Sequence, residues 1–168
     1  QVSACLNPGR PRDAAAWGDL VRAAHPGFGG PYPRMSVWHG TADSVVAPVN
    51  TTELVKQWTN VHDADQTADV EDMVDGHAHK EYQDADGQTV VEEYRINGAG
   101  HGTFVDPDNG CGTAGSYLID EDICAAAHIA DFFGITGGGP DPGDRVAPTV
   151  AFTAPTQGQT VTGMVPVA

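Results

Sequence analysis

A short, mostly apolar run, Met35-Ser36-Val37-Trp38, stands between two stretches of helical periodicity, and this arrangement restricts the fold more than any other feature of the chain. The run suits a buried strand of a parallel sheet. Before it, Asp13 can cap a helix in which Trp17, Leu20, Val21 and Ala24 fall on one apolar stripe. After it, Asn50 and Glu53 stand at the spacing of a capping box, with Leu54, Trp58 and Val61 on one face beyond them. Two β-like segments, 78–83 and 89–96, flank Asp84-Ala85-Asp86-Gly87 and predict a hairpin. A last helix is expected with Asp120, Glu121 and Asp122 at its positive end. Its inward residues would be Ile123, Ala127, Ala130 and Phe133, and Gly134 would end it. Residues 1–12, 26–33 and 62–72 read as loops. The alternation of strand and helix predicts an α/β fold over residues 1–135.

Beyond residue 135 the character changes. Residues 136–146 are rich in Gly, Pro and Asp and read as a linker. Val150, Phe152 and Val161, with a turn at Gln157-Gly158, have the pattern of short antiparallel strands. An immunoglobulin-type sandwich needs about 100 residues and about seven strands, so residues 147–168 would supply one or two strands of a truncated one.

Acidic residues outnumber basic ones 23 to 8, for a formal net charge of -15. Such a chain repels phosphate backbones and anionic membrane surfaces, which disfavours both as partners. The acidity is scattered, as on a solvated surface, rather than gathered into a cation-binding block. No apolar run approaches the ~20 residues that cross a bilayer. Gln1-Val2-Ser3-Ala4-Cys5 has neither the basic start nor the apolar stretch of a secretion signal, so for a secreted protein the signal is expected upstream. Three cysteines, Cys5, Cys111 and Cys124, leave an odd one. Cys111 and Cys124 are near enough in sequence to close a small loop, with Cys5 pairing upstream; three reduced buried thiols are the alternative.

Two turns carry the candidate chemistry. Met35–Trp38 runs into His39-Gly40-Thr41-Ala42-Asp43, and the segment ending at Ile96 runs into a glycine-rich turn that holds His101. Reactive groups in open α/β sheets gather in loops at the carboxyl ends of strands. A carboxylate on one such loop can accept the Nδ1 proton of an imidazole on the next, fix the ring and stabilise the imidazolium. Acid before histidine is also the order of α/β-hydrolase triads, in which the serine comes first. The G-x-S-x-G elbow is absent: Ser3, Ser36, Ser44 and Ser116 all lack its glycines, and Ser44 stands on the acid's own loop.

Several segments together resemble the extracellular PHB depolymerase-type esterases, a group that includes acetylxylan and feruloyl esterases. They are Cys5-Leu6-Asn7-Pro8, Trp17–Arg22, Pro33–Asp43, Lys56–Val61, Gly100-His101-Gly102, Val105-Asp106-Pro107, Cys111-Gly112, Ile123–Ala126 and Phe132-Phe133-Gly134. The resemblance covers roughly residues 1–135 and implies the C-terminal part of an α/β-hydrolase fold. It implies Asp43 as triad acid, His101 as triad base and a disulfide between Cys111 and Cys124. The nucleophile and oxyanion loop of the family would precede residue 1, leaving the chain inactive alone. The implied protein is secreted, needs no cofactor, and takes a polyester or an ester of plant cell-wall polysaccharide as substrate. The tail after Arg145 resembles the opening of a bacterial Ig-like domain.

Two rivals are non-catalytic. A metal-binding module would draw on His77 and His79, which share a strand face, or on Asp106, Asp108 and Asn109. The EF-hand pattern fails, because the glycine falls one position early. His77 and His79 therefore read as solvated surface residues. A carbohydrate- or surface-binding protein would account for the Ig-like start and the acidity, but not for the paired turns. His39 is expected to pack under Trp38, with a part in shaping the active-site loop as the alternative, and Trp17 and Trp58 are expected to fill the core.

Overall fold

The structure, a computed structural model, describes residues 2–135; the expected linker and sandwich strands lie outside the described residues. A five-residue helix, α1 (Val2–Leu6), opens it where a loop was expected. Helix α2 (Ala14–Ala24) then starts as predicted, with the Asp13 carboxylate accepting from the Ala16 amide at 2.7 Å. Strand β1 (Met35–Gly40), helix α3 (Val49–Val61) and strands β2 (Val70–Val74), β3 (His77–Gln83) and β4 (Thr89–Ile96) follow. The described part ends with β5 (Thr103–Val105), a 3-10 turn at Pro107–Asn109, β6 (Leu118–Asp120) and α4 (Ala125–Phe133).

Four strands form one sheet in the order β1-β4-β3-β2. β1 runs parallel to β4 with Gly40 opposite Ile96, while β4, β3 and β2 form an antiparallel meander. Parallel pairing of β1 with β4 brings the two strands' carboxyl ends to the same level. β5 and β6 pair separately, also in parallel.

Successive side chains of β4 point to opposite faces. Tyr94 and Ile96 join Phe104, Ile123 and Ala125 in one cluster, to which Trp38 and Ile129 of α4 add. Trp38 stacks on Tyr94 with ring centroids 3.8 Å apart. Full burial of Phe104 and Ile123 contributes about 1.5–3 kcal/mol for each side chain. On the opposite face Val91 packs with Tyr82 and with Val55 of α3.

Helix α3 corrects two expectations. It begins at Val49 after Pro48, whose backbone is already helical, so Asn50 is inside the helix and caps nothing. The Asn50 amide donates instead to the carbonyls of Ala47 and Leu6. Glu53 is drawn toward α2, accepting from the Arg12 amide before that helix and the Trp17 indole on it, and also from Lys56 of α3 itself, at 2.7–2.8 Å. Burial alone would push its carboxyl up, but these donors outweigh it and hold Glu53 below the ordinary value. The buried stripe of α3 runs through Thr51, Val55 and Thr59, leaving Leu54 exposed. Thr59 can sit in that stripe because its hydroxyl donates to the Val55 carbonyl at 2.7 Å.

Strand β2 lies where an acidic loop was expected. It is an edge strand with its carboxylates in solvent, joined to β3 through Asp75-Gly76, both at positive φ. His77 and His79 on β3 are buried, not solvated. His77 accepts from the Asn97 amide at Nδ1, and its Nε2 donates to the Glu121 carbonyl at 2.9 Å. His79 bonds Asp72 through Nδ1, while its Nε2 lies 3.9 Å from the buried Glu92. Burial raises the Glu92 carboxyl above its ordinary value, despite the Ser36 hydroxyl that donates to it.

The last helix starts later than expected. Asp120 ends β6 and Asp122 turns at positive φ, so neither belongs to α4. Cys124 is its N-cap, and the shift changes which face is covered. Ala125 is buried and Ile129 packs on the core, whereas Ala127 and Phe133 are exposed. Gly134 ends the helix in the left-handed conformation, as read from the sequence.

Candidate active site

The β1 and β4 ends deliver two turns that are stitched together. The Thr41 amide donates to the Ile96 carbonyl and the Ala42 amide to the Ala99 carbonyl, both at 2.9 Å. In return the Gly98 amide donates to the Thr41 hydroxyl at 2.8 Å. Gly40 permits the approach, since a methyl group there would collide with the carbonyl oxygens of Ala99 and Gly100. Gly98 adopts positive φ where the chain leaves β4. The two turns therefore behave as one hydrogen-bonded unit.

Asp43 and His101 meet on this unit. Asp43 is buried, and its Oδ1 accepts from the amides of Val45 and Val46, each at 2.8 Å. Its Oδ2 accepts from His101 Nδ1 at 2.8 Å. Burial pushes the Asp43 carboxyl up, but the Val46 amide, His101 and the Val45 amide together hold it below the ordinary carboxylate value. With Nδ1 donating to Asp43, the free lone pair of the neutral imidazole is at Nε2. The His101 side chain is 41% exposed, so this nitrogen belongs to a ring open to solvent. An ionised acid behind a half-exposed imidazole is the arrangement a general base requires.

The pair lines a cleft of about 160 Å³ with Trp38, His39, Gly40, Val46 and Gly102. His39 thus lines the cleft, whereas the sequence reading packed it under Trp38. Its Nδ1 donates to the Gly40 carbonyl, and its buried Nε2 lies 3.7 Å from Asp43 Oδ2. The fixed spacing His39-x-x-x-Asp43 was the only signal in the sequence for this proximity. Tyr117 was not foreseen at all. It stands edge-on to His101 with ring centroids 6.1 Å apart, and the 15 residues between them in the chain concealed it.

The structure joins Cys111 to Cys124, with Cα atoms 5.8 Å apart. Cys5 is a free, exposed thiol among the described residues. Both nitrogens of His77 are engaged, and both carboxylate oxygens of Asp106 accept from Asn109. Those groups are committed to the fold, and among the described residues no three His, Cys, Asp or Glu side chains gather as a metal site. Ser36 donates to Glu92 and is not part of the cleft lining.

No family model matches the chain. The chain is 51% identical over 136 residues to poly(3-hydroxyalkanoate) depolymerase C of Paucimonas lemoignei, covering 79% of this chain and 33% of that protein. It is 43% identical over 94 residues to an acetylxylan esterase of Coprinopsis cinerea, covering 54% and 24% respectively. Among solved structures, an acetyl xylan esterase from Aspergillus awamori superposes with a TM-score of 0.58 at 19% identity, over 79% of this chain and 41% of that one. That likeness establishes a shared α/β fold. The chain spans about a quarter to a third of the length of these two curated relatives.

Proposed function

We propose that this chain, a member of the PHB depolymerase-type esterase family, supplies the acid and base of a serine esterase triad. The observation that carries the reading is the 2.8 Å bond from His101 Nδ1 to a buried Asp43 that is itself held ionised. In the mechanism, His101 Nε2 takes the proton of a serine hydroxyl as the serine attacks an ester carbonyl. The imidazolium, stabilised by Asp43, then gives that proton to the departing alcohol. Water, activated by the same nitrogen, hydrolyses the acyl-enzyme to the acid and free serine.

No serine among the 168 residues stands in a G-x-S-x-G frame, so the nucleophile is assigned to a residue outside them. The limited span of the relatives that the chain covers supports this assignment. The substrate class is a polyhydroxyalkanoate or an acyl ester of plant polysaccharide, as the names of the relatives suggest. The Cys111–Cys124 bond supports an exported protein, and Cys5 is assigned a partner cysteine outside this chain.

A fluorophosphonate probe tests the reading directly. In the full-length protein it should label one serine, mapped by mass spectrometry outside these residues, and abolish hydrolysis of p-nitrophenyl butyrate. The isolated 168-residue chain should be neither labelled nor active. Labelling at Ser44 or Ser116 would refute the placement of the nucleophile, and activity without any labelled serine would refute the mechanism.

The contact at Gly40 yields a further expectation. Gly40→Ala should push the histidine turn away from the acid turn and cost about 10²-fold in kcat, since displacement by about 1 Å is enough for such a loss. Steady-state kinetics of the full-length variant check this. Wild-type kcat would mean that the two turns move independently.

A further inference from the structure

Tyr117 is unusual on two counts. The residue is 71% exposed, and its backbone sits at φ 63°, a left-handed conformation that a bulky aromatic adopts only under constraint. The constraints are visible. Ser116 and Tyr117 form the corner of a turn closed by reciprocal bonds between Gly115 and Leu118, at 2.9 and 3.1 Å. The Tyr117 carbonyl accepts from the Thr103 amide at 2.8 Å, and Gly102 leaves room for that carbonyl, which a side chain there would strike. The Cys111–Cys124 link closes the loop that carries the turn. A strained, solvent-facing aromatic is thus held by its backbone beside His101, with the two rings edge to face.

Two further exposed apolar residues adjoin Asp43 and Tyr117 in the chain. Val45, whose amide bonds Asp43, is 52% exposed, and Leu118 beside Tyr117 is 43% exposed. In a chain of net charge -15, these three exposed side chains near the dyad carry no charge. Uncharged, exposed apolar side chains next to the dyad suit an aliphatic chain that offers methyl and methylene groups between its esters.

We propose that Tyr117 is a specificity-determining residue, its ring a fixed wall against which a hydroxyalkanoate polyester chain lies as one of its esters reaches His101. This inference rests on the esterase reading above. It adds a residue that selects polymer over small ester, held in place by the turn and the disulfide. The aromatic face, rather than the hydroxyl, makes the contact.

The test compares three substrates in the full-length protein: a suspension of poly(3-hydroxybutyrate), acetylated xylan, and p-nitrophenyl acetate. Tyr117→Asn removes the ring while asparagine tolerates the left-handed backbone, and Tyr117→Phe keeps the ring without its hydroxyl. The ratio of polyester to p-nitrophenyl acetate turnover should fall about 10-fold in Tyr117→Asn, a loss typical of an aromatic contact. Tyr117→Phe should keep the ratio. Thermal midpoints of both variants report whether the turn survives. An unchanged ratio in a folded Tyr117→Asn protein overturns the proposal, as does a Phe variant that behaves like the Asn variant. A fall in the acetylated-xylan ratio with the polyester ratio intact overturns the choice of polyester. A His101→Ala variant that still hydrolyses p-nitrophenyl acetate would defeat the underlying esterase reading, a result distinct from all of these.

Discussion

Asp43→Asn and His101→Ala, each made in the full-length protein, should lower kcat for ester hydrolysis by about 10⁴-fold or more while KM changes little. Asp43 Oδ2 accepts the His101 Nδ1 proton at 2.8 Å, and that bond leaves Nε2 as the basic nitrogen. An asparagine presents either an amide N–H, which forces the proton onto Nε2, or an uncharged oxygen, which cannot stabilise an imidazolium. The double variant should be little worse than His101→Ala alone, because the two residues act as a unit. Additive losses would mean that Asp43 acts elsewhere. Asp43 also gives a pH expectation with a definite sign. Its folded carboxyl is held below the ordinary aspartate value by the Val46 amide, His101 and the Val45 amide, against the upward push of burial. Its contribution to stability is therefore fully present above that value and is lost only as pH falls through the lower folded one. Acid unfolding of Asp43→Asn should lack this component, which denaturation followed between pH 5 and pH 2 would reveal.

Breaking the Cys111–Cys124 bond should cost about 3 kcal/mol, the value for closing a loop of roughly 15 residues. The two cysteines are separated by 13 positions, and Cys124 is in addition the N-cap of α4, accepting from the Ala127 amide. The bond spans the segment that carries β6 and the Tyr117 turn, so the loss should be concentrated there. Hydrogen exchange on the Cys111→Ser/Cys124→Ser protein should show faster exchange at Thr103, whose amide bonds Tyr117, than at Thr41, whose amide bonds Ile96. Equal protection at both would mean that β5–β6 pairing and the burial of Phe104 and Ile123 hold the loop without the covalent link.

Much of this arrangement was legible because it depends on local periodicity. Met35–Trp38 announced a strand, Asp13 a helix cap, and Asp84–Gly87 a hairpin, each through chemistry confined to a few neighbouring residues. The acid and histidine turns were legible as well, since glycines next to polar residues after apolar runs mark turns. Tertiary partners decided what was misread. Glu53 looked like a capping residue, but the Arg12 amide just before α2, the Trp17 indole on α2 and Lys56 one turn along α3 all donate to its carboxylate. His77 and His79 looked solvated because their neighbours are charged, yet a strand with β2 on one side and β4 on the other buries them. β2 itself is acidic, as an exposed edge strand can be, and only the Asp75-Gly76 dipeptide hinted at its turn. The start of α4 slipped because β6 claims Asp120, a pairing across 15 residues that no short window contains.

Parallel pairing of β1 with β4 has a consequence for how the site tolerates change. Gly40 and Ile96 lie opposite one another, and the acid and histidine turns leave the sheet from there. Their separation is thus inherited from the spacing of adjacent strands, about 4.8 Å, and not from the length of chain that joins them. The stretch from His62 to Gln88, with its hairpin tips at Asp75-Gly76 and Asp86-Gly87, is free to lengthen or shorten at those tips without moving the dyad. Insertions there are the natural place for such a chain to acquire new surface, whereas a single added residue between Gly40 and Asp43 or between Ile96 and His101 would unseat the pair.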